Sequence, residues 1–181
     1  PDEMEANLQE LRERVRSTES RLREIVQGIF PSVLTDYGLM PALRTFLEAL
    51  AVRNLDIPKP LLVEFSGSGF DEERLPERVE IAAYRAIQQG VTNSLQHAQA
   101  TRLVIDLTLA ESELRFTVSD DGVGFDPDKL QEPQLTGHFG LANLKSRVEG
   151  LNGSLQIDSQ PAAGTTIRAP GFRRPAGLLP W

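Results

Sequence analysis

The sequence holds 181 residues, 40% of them hydrophobic and 25% charged, which is the composition of a folded domain with room for an appendage. Lys and Arg number 19 against 26 Asp and Glu, a formal charge of −7, which argues against a general nucleic-acid binder with a basic face but leaves room for a local basic pocket. There is no cysteine, so disulfides and thiolate metal sites are excluded and a reducing compartment fits.

No apolar run reaches the length of a membrane span, and no signal peptide is visible. The start at Pro1 leads us to expect a further segment upstream. Residues 4–30 predict a charged amphipathic helix. Leu8, Leu11, Val15, Leu22, Ile25 and Ile29 fall on an a/d heptad pattern that only Thr18 breaks. So narrow a stripe suits a partner helix, although packing on its own domain would also use it. Phe30-Pro31 interrupts that helix, because proline lacks the amide donor. Asp36-Tyr37-Gly38 reads as a turn. A second helix over 39–54 follows from Leu39, Leu43, Phe46, Leu47 and Leu50. Ile57-Pro58-Lys59-Pro60 is a short stiff connector, and the domain boundary is placed at 56/57.

Leu61–Phe65 predicts a strand ended by Gly67 and Gly69. Leu75-Pro76-Glu77 starts a helix that should run to about His97, with proline and glutamate suited to its first turn. Leu103, Ile105, Leu107 and Leu109 alternate with polar or smaller residues, Glu111-Ser112 turns the chain, and Leu114–Val118 returns. Then comes Ser119-Asp120-Asp121-Gly122-Val123-Gly124-Phe125-Asp126. A carboxylate leaving a buried strand into Gly-x-Gly can accept from an exocyclic amine while a planar base approaches the backbone. Taken alone, the octet also reads as a tight turn. A polar segment, 127–136, leads into Gly137-His138-Phe139-Gly140-Leu141 and a helix with Leu144, Val148 and Leu151 on one side. Ser154–Ile157 and Thr165–Ala169 predict a hairpin around 161–164, and 173–181 is a Pro/Gly-rich tail.

Gln89, Asn93 and His97 are spaced i, i+4, i+8 and share one helix face. An amide oxygen there is a hard donor that Mg²⁺ accepts beside phosphate oxygens, and a histidine can donate to phosphate. A solvated polar stripe would look the same. Gly137 and Gly140 open a helix whose first amides favour phosphate, and Thr165 offers a hydroxyl beside a turn.

These signals gain weight from their order. Leu75–Gln88 with Thr92–Ala98 resembles the N box of the sensor histidine kinases of the nitrate/nitrite-sensor and membrane-thermosensor type. Asp120–Asp126 resembles their G1 box, Gly137–Leu141 their G2 box, and Leu34–Leu43 the end of their dimerisation helices. The resemblance covers about residues 8–170, and it implies the GHKL, or Bergerat, fold. That fold is an α/β two-layer sandwich with a mixed, mainly antiparallel sheet covered by helices on one face. It also implies the roles. Asn93, with Gln89, would coordinate Mg²⁺, and His97 would stand at the phosphates. Asp120 would accept from the adenine amino group, with Thr165 helping through a water. Gly122, Gly124 and Phe125 would border the base. Gly137, Phe139, Gly140 and Leu141 would border the phosphates and a lid over 127–136. The implied activity is ATP-dependent phosphorylation of a histidine for transfer to a response-regulator aspartate. The implied setting is a homodimer in the bacterial cytoplasm, with no nucleic-acid or membrane contact by this part.

Two departures stand out. Gln89 occupies the position where the family usually has Glu, and a neutral amide takes up no proton. The histidines are His97 and His138, both within nucleotide-site motifs, so the phosphoacceptor is expected on a preceding segment. A nucleotide-binding signalling module without kinase output, and an anti-sigma-type serine kinase, are the alternatives.

Overall fold

The computed structural model describes residues 32–54, 60–70, 74–126, 144–146, 148–151 and 153–173. The helix expected over 4–30, the Phe30-Pro31 break, residues 57–59 of the connector, the 127–136 lid, the Gly137–Leu141 motif and residues 174–181 lie outside these.

Three helices and five strands, with further helical residues at 144–146 and 148–149, form the described body. Helix α1 covers Ser32–Tyr37, α2 Leu39–Asn54 and α3 Glu77–Asn93. The strands are β1 Leu62–Ser68, β2 Arg102–Ala110, β3 Glu113–Asp120, β4 Gln156–Ser159 and β5 Thr165–Arg173. The sheet order is β1-β2-β3-β5-β4. β1 pairs parallel with β2, and every other pairing is antiparallel.

One face of this sheet is dry. Leu103, Ile105, Leu107 and Leu109 of β2 are buried, with Leu114, Phe116 and Val118 of β3 and Ile167, Ala169 and Phe172 of β5. The period-two pattern of the sequence puts all of these on the side that α3 covers. Helix α3 meets them with Val79, Ala83, Ala86, Ile87 and Val91. The other face carries exposed Arg102, Asp106, Thr108, Arg115 and Arg168. Leu144 and Val148 are buried in the same core, as their spacing predicts.

Several element ends differ from expectation. Asp36 and Tyr37 belong to α1, and the break is Gly38 alone, at φ +88°, whose amide donates to Leu34 O over 3.0 Å. β1 does not stop at Gly67. Its ladder continues through Gly67↔Leu107 and Ser68↔Thr108, because the missing side chain leaves room for Met40 of α2. β4 begins two residues later than the sequence suggests. β5 runs past Ala169: Leu114 pairs with Phe172 and Phe116 with Ala169, so one extra residue is absorbed near Pro170, where a missing amide costs no ladder bond.

Helices α1 and α2 share the core of the sheet. Leu34, Leu39 and Leu43 are buried in the same cluster as Val79, Ala83 and Ile87. Two charged residues tie the α1–α2 corner to α3. Arg74 donates from Nη2 to the carbonyls of Leu34, over 2.9 Å, and Thr35. It also reaches Glu80 Oε2 at 3.4 Å, and Glu80 in turn accepts from the backbone of Leu39. Burial raises the Glu80 carboxyl above its ordinary value against the opposing pull of Arg74.

Candidate nucleotide site

Helix α3 starts at Pro76, with Glu77 and Glu80 in its first turn where the helix dipole favours acids. Its last turn is not α-helical. Ser94–Ala98 widens into a π-turn that closes on Gln99 in the left-handed region, at φ 51°. Such widenings redirect side chains and carbonyls at functional sites. Here the Ala98 carbonyl turns to accept from Val123 N over 2.7 Å, which docks the loop after β3 onto the helix end.

Asp120 is the last residue of the central strand β3. It lies between Leu103 of β2 and Thr165 of β5. Its Oδ2 accepts from Ser94 Oγ at 2.8 Å. Its Oδ1 accepts from the amides of Gly122 at 3.0 Å and Thr165 at 3.3 Å. A carboxylate with this many donors is held in one orientation, and it stays an acceptor for a further amine.

Asp121 turns the other way. Its carboxylate accepts from the amides of Thr101 and Arg102 at 2.8 Å each and from Thr101 Oγ1 at 2.6 Å. The Thr101 hydroxyl first, then the Arg102 amide, hold its pKa down at about 2.

A cavity of about 230 Å³ opens between the π-turn and the strand ends. Asn93, His97, Asp120, Gly124, Phe125 and Thr165 all line it. Gly90, Ala98, Val118 and Ile167 supply its apolar wall. An apolar wall beside a single carboxylate is chemistry that a purine carrying an amino group can use. Asn93 and His97 stand on the α3 side of the same cavity. Among the described residues no group of three His, Cys, Asp or Glu is placed to hold a metal.

Two of the expected residues, Gly122 and Gln89, stand off the cavity wall. Gly122 does not line the cavity. A Cβ there would stand 2.3 Å from the Ala98 carbonyl oxygen, so the missing side chain lets the loop dock on the helix end. Gly124 does line it, at φ +58°, but its own Cβ position faces Gln160 O at 2.0 Å. Gln89 is absent from the lining, and its Nε2 donates to Asn93 Oδ1 over 2.8 Å. The Thr165 hydroxyl pairs with Ser159 Oγ at 3.0 Å. Gly137, Phe139, Gly140 and Leu141 lie outside the described residues.

Two serines escaped the sequence reading. Ser94 lines the cavity and fixes Asp120. Ser159, buried on β4, accepts from Phe125 N at 2.9 Å and lies 3.0 Å from Gly164 O, and so ties the loop after β3 to the β4–β5 turn. A hydroxyl directly after Asn93 was the only signal for the first, and none existed for the second.

Residues 78–175 match the family model described as histidine kinase-, DNA gyrase B-, and HSP90-like ATPase. Signal transduction histidine-protein kinase/phosphatase DegS of Brevibacillus brevis is 32% identical over 166 residues, covering 92% of this chain and 40% of its own. Oxygen sensor histidine kinase NreB of Staphylococcus carnosus is 34% identical over 158 residues, covering 85% and 43%. The chain thus spans about two fifths of the length of these curated relatives. Full-length ShkA, crystallised in complex with AMPPNP, shares the fold, with a TM-score of 0.55 at 18% identity over 75% of this chain and 30% of that one. A mixed sheet under α3 with an acid at the end of β3, the matched model and these relatives agree: the chain belongs to the histidine kinase-, DNA gyrase B- and HSP90-like ATPase family, in its sensor histidine kinase branch, and carries that family's ATP-binding domain.

Proposed function

We propose that this chain is the ATP-binding catalytic portion of a two-component sensor histidine kinase. The observation that carries the reading is the shared cavity of Asn93 and Asp120. Asp120 accepts from the adenine 6-amino group, with Ser94 and the amides of Gly122 and Thr165 holding the carboxylate in place. Val118 and Ile167 face the base. Asn93 would hold Mg²⁺ through its carboxamide oxygen, and the cation would supply charge neutralisation at the phosphates. His97 donates to the phosphates. Gly137, Phe139, Gly140 and Leu141 border them, beneath a lid at 127–136.

The reaction is transfer of the γ-phosphoryl group to a histidine upstream of this sequence. A ring nitrogen of that histidine forms the P–N bond as the bond from phosphorus to the bridging oxygen breaks. ADP leaves with the electron pair, and the other ring nitrogen releases its proton. Gln89 is a neutral amide and takes no proton, so that proton goes to water or to a group on the acceptor segment. Positioning and charge neutralisation are what this chain contributes. The phosphoryl group then passes to an aspartate of a response regulator. The full protein works as a homodimer in the bacterial cytoplasm.

Calorimetry with Mg²⁺ and ADP tests the base assignment. Asp120→Ala should weaken binding by at least about tenfold, because a half-buried carboxylate acceptor is lost. Unchanged affinity overturns the assignment. The same amide at position 89 favours a second reading, a nucleotide-binding module without kinase output. Mixing the chain with a separate phosphoacceptor helical hairpin and labelled ATP decides between them: label on the hairpin supports the kinase, and its absence with intact ATP binding supports the module.

A further inference from the structure

Gln89 lies one helical turn before Asn93 on α3 and does not line the cavity that Asn93 faces. Its Nε2 donates to Asn93 Oδ1 over 2.8 Å. The polar groups beside it are otherwise engaged: Gln88 Oε1 accepts from Arg85 Nη1 at 2.9 Å, and Thr92 Oγ1 donates to Gln88 O at 2.8 Å. The terminal torsion of an asparagine is broad, so an unsupported carboxamide samples many orientations. A carbonyl oxygen carries two lone pairs. Gln89 occupies one and leaves the second for a ligand.

We propose that Gln89 is a positioning residue: it fixes the carboxamide of Asn93 for a divalent cation and is neither a proton acceptor nor a ligand itself. This rests on the reading of Asn93 given above. It gives a role to the amide where the family usually has Glu. A carboxylate at 89 would add a negative charge and a proton acceptor beside the cation. An amide adds neither and still supplies a hydrogen bond. Among the described residues, the groups offered to the cation are then neutral, and the nucleotide phosphates would supply the charge that draws it in.

The test is calorimetry of ADP with the whole chain, in Mg²⁺ and in EDTA, which reads the gain in affinity that Mg²⁺ brings. Gln89→Leu should cut that gain about tenfold, the order found for partners that orient a metal ligand, and leave the affinity in EDTA unchanged. Gln89→Met, which keeps the length of the side chain and removes the donor, should cut the gain equally. Asn93→Ala should abolish the gain, and Gln89→Leu added to it should cost nothing more. A full gain in Gln89→Leu, or losses that add in the double variant, overturns the positioning role while Asn93 stands as the cation ligand. A wild-type chain without any Mg²⁺-dependent gain, or an unchanged gain in Asn93→Ala, overturns the site reading, and the role of Gln89 falls with it. If Gln89→Leu does not fold, Gln89→Met decides alone: a full gain there contradicts the proposal.

Discussion

Asp120 and Asp121 are neighbours with the same side chain and different work. Asp120 faces the cavity between Ser94 and the Gly122 and Thr165 amides. Asp121 closes the start of β2 through Thr101 and Arg102. The pKa of Asp121 is lowered from 3.8 to about 2, so its folded form binds a proton more weakly than its unfolded form. Its contribution to stability is present above 3.8 and is lost as pH falls from there to about 2. Asp121→Asn should flatten the acid limb of a stability-against-pH curve in that window, measured by denaturant titration at each pH. An unchanged limb would mean that the Thr101 and Arg102 contacts do not persist. The octet from Ser119 to Asp126 stands out because an acid followed by Gly-x-Gly is chemically unusual at a strand end, but alone it also reads as a tight turn, and the order of the other motifs makes it a candidate site. Which of the two acids faces inward was open from spacing alone. Strand alternation carries the answer, but only once Val118 is known to point to the core. Ser94 and Ser159 act across 26 and 34 residues of sequence, on Asp120 and Phe125, and no local pattern announces such partners.

At the level of elements, the β2–β3 hairpin turns on Glu111 and Ser112, both in the left-handed region at φ 52° and 58°. That conformation matches the twist of the flanking strands but suits Asn-Gly better than Glu-Ser. The double substitution Glu111→Asn, Ser112→Gly should raise stability by about 1 kcal/mol, read as a shift in the denaturant midpoint without change of slope. A drop in stability would show that the present side chains hold the turn by their own contacts. The alternation in β2 and β3 made these strands easy to place. Element ends were harder, because long-range packing sets them. Met40 lets β1 continue through Gly67, and the docking of Val123 on Ala98 belongs to a helix end that is π-wound rather than α-helical.

At the scale of the molecule, the mixed sheet with helices on one face follows from the order of elements. The standing of the first helices does not. A stripe such as Leu39, Leu43, Phe46, Leu47 and Leu50 packs equally well on a partner chain or on its own domain. We propose that α1 and α2 fold with the ATP-binding unit, because Leu34, Leu39 and Leu43 enter its core and Arg74 and Glu80 clamp their corner to α3. Leu43→Ala should then destabilise the whole unit by roughly 2–5 kcal/mol, seen as one cooperative transition at lower denaturant. An unchanged transition would return α2 to the dimerisation helices. The same helix α3 that receives this clamp near its start carries Asn93 and the π-turn at its end.

The central claim is that Asp120 reads the 6-amino group of adenine, and the comparison of ADP with IDP tests it most directly. IDP presents an oxygen where ADP presents the amino group, and a carboxylate cannot donate to it. Calorimetry on the wild-type chain should favour ADP over IDP by at least about thirtyfold, since a buried acceptor left without its donor is costly. Asp120→Asn, whose amide can donate, should narrow that preference. Equal affinity of the wild-type chain for both nucleotides would contradict the account.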